Sequence, residues 1–343
     1  MNPQRIHAVM SGRAKDPAAI ALRLVTRLAE PAYAFAVARR NARLDRRDPT
    51  PLGRPTVSVG NLTTGGTGKT PVVQWVCRRL IAAGQRPAVL LRGYRGGDEA
   101  AEHRAALGGD AVVEPDPDRI AAAGRVLASD PAVTSFVLDD GFQHRRARRD
   151  LDLVLIDATR PFGHDHLLPR GMLREPVDAL ARADGVIVTR CESADDPAIE
   201  AIDQRITEAT GRPPLAHTAF AWSALRDGSD ERPVDDLRRM RVVGVTGIGN
   251  PEAFAAALHR HAAAVLDHVV LDDHHDYAAG EVRDVIESAA RAGAEAVVIT
   301  EKDHVKWRPH LDAWSPAVPV LRPVLDLRFR DGEDAARSLL DHL

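Results

Sequence analysis

VSVGNLTTGGTGKTP, residues 57–71, sets a short apolar run against a loop of small residues that closes on Gly-Lys-Thr. Gly65, Gly66 and Gly68 let the backbone take positive φ and turn N–H groups towards an anion. Lys69 is placed to reach a β- or γ-phosphate, and Thr70 to offer a hydroxyl to a magnesium ion. The following PVVQWVCRRLIAAG has apolar residues at helical spacing, with Pro71 near its first turn and Gly84 past its end. A helix N-terminus beneath a phosphate group is a favourable anion site. Strand, loop and helix therefore stand in the order of a phosphate loop. Thr63 takes the place where the strict pattern has glycine, so the loop is a variant, its cradle running Thr63, Thr64, Gly65, Gly66, Thr67, Gly68, Lys69 and Thr70. The bland alternative is a glycine-rich strand-to-helix turn.

Outward from this loop, strands are expected at 55–59, 87–91, 134–138, 151–156, 185–189, 241–246 and 296–300. Helical patterns are expected at 71–84, 118–128, 176–183, 251–264 and 279–292. Alternation of this kind implies parallel α/β sheets. The rhythm fails around 210–240, where Pro213, Pro214 and Pro233 lie, and a hinge between two lobes is expected there. The expected organisation is a helical region at 1–45, a phosphate-loop lobe at 46–215 and a smaller α/β lobe at 216–343.

The chain has 343 residues, enough for two lobes, and its 44% apolar content supports a sizeable core. A net charge of −3 with 4% aromatics disfavours a nucleic-acid binder. Cys77 and Cys191 match no metal spacing and suit a reduced, cytoplasmic setting. No compact apolar h-region opens the chain, so no signal peptide is expected. No stretch approaches the ~20 apolar residues of a membrane span. Residues 19–45 interleave Ile20, Leu22, Val25, Leu28, Tyr33, Phe35 and Val37 with Arg23, Arg27, Arg39, Arg40 and Arg43. This suits either a helix, kinked near Pro31, lying in an anionic membrane interface or an ordinary helix packed on the core, and the residues leave the two level.

Other stretches carry chemistry. In TSFVLDDGFQH a strand runs into Asp139 and Asp140, where a phosphate-loop enzyme holds its metal; a turn or cap is the alternative. Gln143 and His144 then line the crevice rim. Arg145, Arg146, Arg148 and Arg149 are either a landing site for an anionic substrate or a solvated face. Arg92, Tyr94 and Asp98 follow the strand at 87–91, where ligands of α/β sheets bind. Asp98 is a candidate base or a turn former. LDDHHDY (271–277) is a metal site, a proton-transfer pair or a polar loop. His164 and His166 are a sparse candidate metal pair.

VGNLTTGGTGKTP, LLRGYRGGDEA, DPDRIAAA, VLDDGFQHRRARRDLDLVLID, LLPRGMLREP, VTGIGNPEAF, DDHHDY and TEKDHVKW together resemble, in family order, the tetraacyldisaccharide 4′-kinases. The resemblance covers residues 55–307. It implies an α/β protein with a P-loop NTPase-like α/β/α core lobe and a second, smaller α/β lobe. It implies ATP-dependent phosphorylation of the 4′-hydroxyl of a tetraacyldisaccharide 1-phosphate in lipid A synthesis, with ATP and Mg2+ as cofactors. It also implies a peripheral protein, expected to be monomeric, on the cytoplasmic face of an inner membrane, and it favours the interfacial helix over the core helix. By the resemblance, Lys69 and Thr70 bind phosphates and magnesium, and Asp139 and Asp140 hold the metal. Asp98 and His274 form a catalytic pair at the reacting hydroxyl. Arg92, Tyr94, Gln143, His144, Arg149 and Arg174 contact substrate. The chain departs from the family in a short Arg95–Asp98 stretch, in GHDH where Gly-Asn-Gly is common, and in Arg170-Gly171 where Ala-Gly is common. A nucleotide switch and a small-molecule kinase not acting on lipid are the competing readings. TEKD (300–303) lacks the Asn of a guanine-reading motif.

Overall fold

The computed structural model describes residues 3–93, 98–272, 275–311 and 314–343. The chain divides into two compact units, residues 1–219 with 327–343, and residues 220–326.

In the first unit, α1 (Pro3–Met10) and α2 (Pro17–Leu44) precede β1 (Thr56–Asn61), α3 (Lys69–Ala82), β2 (Pro87–Leu91), α4 (Asp98–Leu107) and β3 (Val112–Pro115). Then come α5 (Arg119–Ser129), β4 (Ser135–Asp139), β5 (Leu151–Asp157), β6 (Gly185–Thr189), α6 (Asp196–Thr210) and the start of β7 (Ala216–Asp227). The strands lie side by side in the order β7-β6-β5-β1-β4-β2-β3, every pairing parallel. β1, β2, β4, β5 and β6 are buried along their whole length. Strands buried from end to end belong to a sheet covered on both faces. One cover packs Val72, Val73, Val76 and Leu80 of α3 on Val57, Val59, Val89 and Val137, and another packs Ala122, Ala123 and Val126 of α5 on Leu90, Phe136 and Leu138. The chain moves from β1 out through β2 and β3, returns to β4, then crosses β1 to reach β5. This reversal places a crevice at the C-terminal ends of β1, β4 and β5, where α/β ligands bind.

α2 caps its N-terminus with Asp16, whose side chain accepts from the Ala19 amide at 3.0 Å, and continues as one helix through Pro31. Only Ala19 and Val37 of α2 are buried.

In the second unit, β8 (Asp230–Arg232) forms a hairpin with the end of β7. β9 (Arg241–Thr246), α7 (Pro251–His261), β10 (Ala264–Val270), α8 (Ala279–Arg291), β11 (Ala296–Ile299), α9 (Glu301–Leu311) and β12 (Val320–Asp331) follow. Their parallel order is β10-β9-β11-β12. Val243, Val245, Val297, Ile299 and Trp307 form its core with Val282 and Ile286 of α8.

Two expectations differ from the structure. The stretch 176–183 is a 3-10 turn, Val177–Arg182, rather than an α-helix. The second lobe does not run to residue 343: the end of β12 and α10 (Glu333–Asp341) belong to the first unit. Leu327, Phe329, Leu339 and Leu340 pack on the α3 core there, Phe329 lies 4.9 Å from the Trp75 ring, and Arg79 of α3 binds Asp341 at 2.8 Å.

Candidate active site

The loop between β1 and α3 has left-handed backbone at Gly65 (φ 109°) and Gly68 (φ 78°), the turns that a glycine-free loop resists. Gly68 caps α3, so Lys69 and Thr70 open that helix. The loop is tied to the neighbouring chain on one side: the Thr64 amide donates to Met172 O at 2.8 Å, and the Arg174 amide to Leu62 O at 2.7 Å.

Charge gathers at the loop's end. Lys69 Nζ lies 3.4 Å from Asn61 Oδ1 and 3.5 Å from Asp140 Oδ1. Arg174 donates to both oxygens of Asp140 at 2.9 and 2.8 Å, to Asn61 O at 3.2 Å, and to the Asn61 side-chain oxygen. Burial pushes the Asp140 carboxyl up, but Lys69 and Arg174 outweigh it and hold the group well below the usual carboxylate range. Asp140 is thus ionised and sits between two cations.

Asp139 is placed differently. It ends β4, is 4% exposed, and meets His103 Nε2 of α4 at 3.0 Å. Arg119 of the DPDR stretch, 3% exposed, donates to Asp139 O at 3.2 Å. Burial pulls the His103 imidazole down, and the hydrogen bond and charge of Asp139 more than reverse that, leaving it raised. The second Asp139 oxygen, Oδ1, is buried without a hydrogen-bond partner among the described residues.

Gln143 donates to Asn61 O at 2.9 Å and joins the same group. His144 is held neutral, its pKa pushed down to about 4 by burial and the nearby Arg119. Arg92 follows β2 and is exposed. Arg149 does not join the cluster: its guanidinium is taken up by Asp152 at 2.6 Å and approaches Gly141 O at 3.5 Å. The fork geometry of arginine suits that carboxylate contact. The candidate pair His164 and His166 does not converge on a metal site, because His166 Nδ1 faces Glu30 of α2 at 3.2 Å. Among the described residues no group of three His, Cys, Asp or Glu could hold a metal ion. Tyr94, His274 and the Asp98 side chain lie outside the described residues; the Asp98 backbone begins α4.

α2 reaches this site with one face. Tyr33 donates to Arg174 O at 3.2 Å, Arg40 donates to Gln143 O and lies 3.9 Å from the buried Glu175, and Glu30 accepts from the Leu167 amide at 2.8 Å. Its other face presents Ile20, Leu24, Val25, Leu28 and Phe35 to solvent, Leu28 83% exposed.

In the second unit, His275 and Tyr277 are held from α9. Asp303, 2% exposed, accepts from Tyr277 Oη at 2.8 Å, the Gly247 amide at 3.0 Å and Thr300 Oγ1 at 2.6 Å. Lys306 donates to His275 O and His310 meets Tyr277 O, both at 2.9 Å.

Asn61, His103, Arg119, Thr189 and Arg190 were not expected from the sequence. Arg119 lay inside the DPDR motif, and Asn61 and Thr189 each end a parallel strand, which was the available signal.

A parallel sheet with a glycine-rich loop, its lysine opening a helix, and acidic residues at the next strand end define a protein of the P-loop NTPase-like class. The model of the tetraacyldisaccharide-1-P 4′-kinase family matches residues 22–343. The chain is 38% identical over 303 residues to the tetraacyldisaccharide 4′-kinase of Geobacter sulfurreducens, covering 82% of this chain and 81% of that one. Against the enzyme of the same name from Anaeromyxobacter dehalogenans it is 38% identical over 311 residues, covering 83% and 82%. Its fold is similar to the crystal structure of LpxK from Aquifex aeolicus in complex with ATP, with a TM-score of 0.71, 24% identity, and coverage of 94% and 99%. The chain belongs to the tetraacyldisaccharide 4′-kinase family. That membership makes it a kinase of lipid A synthesis and does not favour the nucleotide switch or the small-molecule kinase.

Proposed function

We propose that the protein transfers the γ-phosphoryl group of ATP to the 4′-hydroxyl of a tetraacyldisaccharide 1-phosphate at a membrane surface. The observation that carries this reading is the Lys69–Asp140–Arg174 cluster at the mouth of the glycine-rich loop, with Lys69 and Arg174 both within 3.5 Å of Asp140.

Residues 63–70 hold the triphosphate through loop N–H groups, the α3 N-terminus and the Lys69 ammonium. The donors present fit magnesium. Asp140 is an ionised hard-oxygen donor, Asp139 Oδ1 is buried with no partner among the described residues, and Thr70 supplies a hydroxyl from the first turn of α3. Magnesium is held by one or two carboxylates plus phosphate oxygens and water, so a three-carboxylate cluster is not required. When bound, the ion supplies charge neutralisation at the β- and γ-phosphates. Lys69 adds to that neutralisation and aligns the γ-phosphate. Asp98 takes or orients the hydroxyl proton, and His274 assists that step. A sugar hydroxyl is a weak nucleophile, so this base adds to a rate set chiefly by alignment and charge. Arg92, Tyr94, Gln143, His144 and Arg174 contact the acceptor and its phosphate. Arg149 is tied to Asp152 and stands apart from that set.

α2 lies in the interface. Its apolar side chains at 20, 24, 28 and 35 share one helical face and are at least 45% exposed. No helix among the described residues is long and apolar enough to cross a membrane, which suits a helix lying on the surface of the inner membrane's cytoplasmic leaflet. A monomer suffices for this arrangement.

The test is incubation with ATP, magnesium and the acceptor in detergent micelles, with mass spectrometry locating the added phosphate. Lys69→Ala should cut turnover by about 10³-fold and Asp98→Ala by about 10²-fold or more. Full activity in Asp98→Ala would remove the base assignment, and lipid-independent ATP hydrolysis without product would remove the acceptor.

A further inference from the structure

A loop that turns its N–H groups inward on a phosphate turns carbonyls outward, and those need partners of their own. Two adjacent outward carbonyls of the phosphate loop meet two adjacent residues at the end of β6. Arg190 Nη1 donates to Gly66 O at 2.7 Å, and Thr189 Oγ1 donates to Thr67 O at 3.0 Å. Thr189 is fully buried, and its hydroxyl also lies 3.4 Å from Ile156 O. The same Arg190 guanidinium binds Asp157, 5% exposed at the end of β5. Thr159 fixes the other Asp157 oxygen through its amide at 2.9 Å and its hydroxyl at 2.7 Å. Asp157 and Thr189 are paired across β5 and β6, so these groups stand at one level of the sheet edge. Arg190 takes left-handed backbone (φ 59°, ψ 33°), which a non-glycine side chain holds only where its surroundings fix it.

We infer that Asp157, Thr189 and Arg190 are positioning residues that brace the outer face of the phosphate loop and so set its affinity for the nucleotide. This rests on the nucleotide-site reading above. Thr189 and Arg190 act through the Thr67 and Gly66 carbonyls, and Asp157 acts by aiming Arg190. The brace also accounts for a charged pair buried beside a loop that has to bind an anion. Asp157 cancels the field of Arg190, so the arginine shapes the loop without adding a competing cation. Arginine suits the role better than lysine, because its fork reaches a carbonyl and a carboxylate at once.

The test compares the full chain with Arg190→Ala, Arg190→Lys, Thr189→Val and Thr189→Ser. Two readouts are needed: the dissociation constant of MgATP by titration calorimetry, and separate steady-state KM values for ATP and for the acceptor. Arg190→Ala should weaken ATP binding by about tenfold or more, and Thr189→Val by about fivefold. The acceptor KM should stay at its wild-type value. Thr189→Ser keeps the hydroxyl and should restore ATP affinity; Arg190→Lys should restore it in part. A brace that merely stabilised the fold would lower the melting temperature without this split between the two KM values. Unchanged ATP affinity in folded Arg190→Ala and Thr189→Val, or equal rises in both KM values, overturns the inference. Should Arg190→Ala fail to fold, the isosteric Thr189→Val against Thr189→Ser decides alone. Calorimetry needs no acceptor, so failure of the acceptor reading leaves the brace readable, whereas wild-type protein that binds no ATP sinks the nucleotide reading and the brace with it.

Discussion

Gly66→Ala separates a phosphate cradle from a plain turn. Gly66 is exposed, its φ lies outside the left-handed region, and a Cβ built on it meets no atom within 4 Å. The fold thus gives no reason for glycine at this position. Alanine should cost nothing in the folded state and should restrict the unfolded chain, stabilising the protein by about 0.4–1 kcal/mol. On a unit of this size that is a rise in melting temperature of about 1–4 °C. The nucleotide should respond in the opposite sense. A methyl group over the loop's open face keeps the phosphates from its N–H groups, and each charged hydrogen bond lost is worth about 1.5–3 kcal/mol. One lost bond corresponds to a fall in ATP affinity of about 10- to 150-fold. Calorimetric titration with MgATP and a thermal melt on the same sample measure both quantities. A Gly66→Ala protein that binds ATP as tightly as wild type would refute the cradle, because the one explanation left for this glycine would have failed.

Two further outcomes follow from burial and charge. Leu28→Asp combined with Phe35→Asp alters side chains 83% and 69% exposed, so the melt should move by no more than about 0.5 kcal/mol in stability, while flotation with anionic vesicles should be lost; equal flotation of variant and wild type would reject the interfacial helix. His144 and His304 are both pushed down to about 4 from 6.5 by burial, aided by Arg119 and Arg322 respectively. Between those pH values the unfolded chain binds protons that the folded chain refuses, so their contribution to stability is complete above about 6.5 and falls as pH drops towards 4. Urea midpoints at pH 7 and pH 5 should differ less in His144→Gln and His304→Gln than in wild type, and an unchanged difference would show that these imidazoles do not set the acid limb.

The central strands were legible because a strand covered on both faces must be apolar throughout, and PAVLL, LDLVLI and GVIVT are apolar for nearly their whole length. β7 and β12 were not legible for a local reason. Pro213 and Pro214 precede β7 and read as a hinge, and Pro323 sits inside β12, where proline argues against a strand. α6 was readable in principle. Asp195 caps it at 3.0 Å, and Ile199, Ile202 and Ile206 repeat at helical spacing on its buried side. In the site, the loop and the Asp139–Asp140 pair announce themselves by residue type. Arg190 does not, since its role comes from the neighbour that β5 provides and from a carbonyl over a hundred positions away in sequence.

The two adjacent aspartates show how one dipeptide acquires two environments. In a regular strand, successive side chains already point to opposite faces. β4 ends at Asp139, and Asp140 then takes left-handed backbone at φ 58°, a conformation that aspartate tolerates better than most non-glycine residues. Asp139 stays beneath the sheet edge against α4 and α5, fixed by His103 and Arg119, while Asp140 swings to the loop side between Lys69 and Arg174. Two carboxylates at one strand end would repel each other if both faced the phosphates unpaired. Here the two side chains meet different partners, Lys69 and Arg174 at Asp140 and the His103 ring at Asp139. Asp140 lies at the loop mouth, and Asp139, held at Oδ2 by His103, keeps Oδ1 for the metal proposed above. Replacing Asp140 therefore removes charge from the loop mouth, whereas replacing His103 disturbs the strand end beneath it.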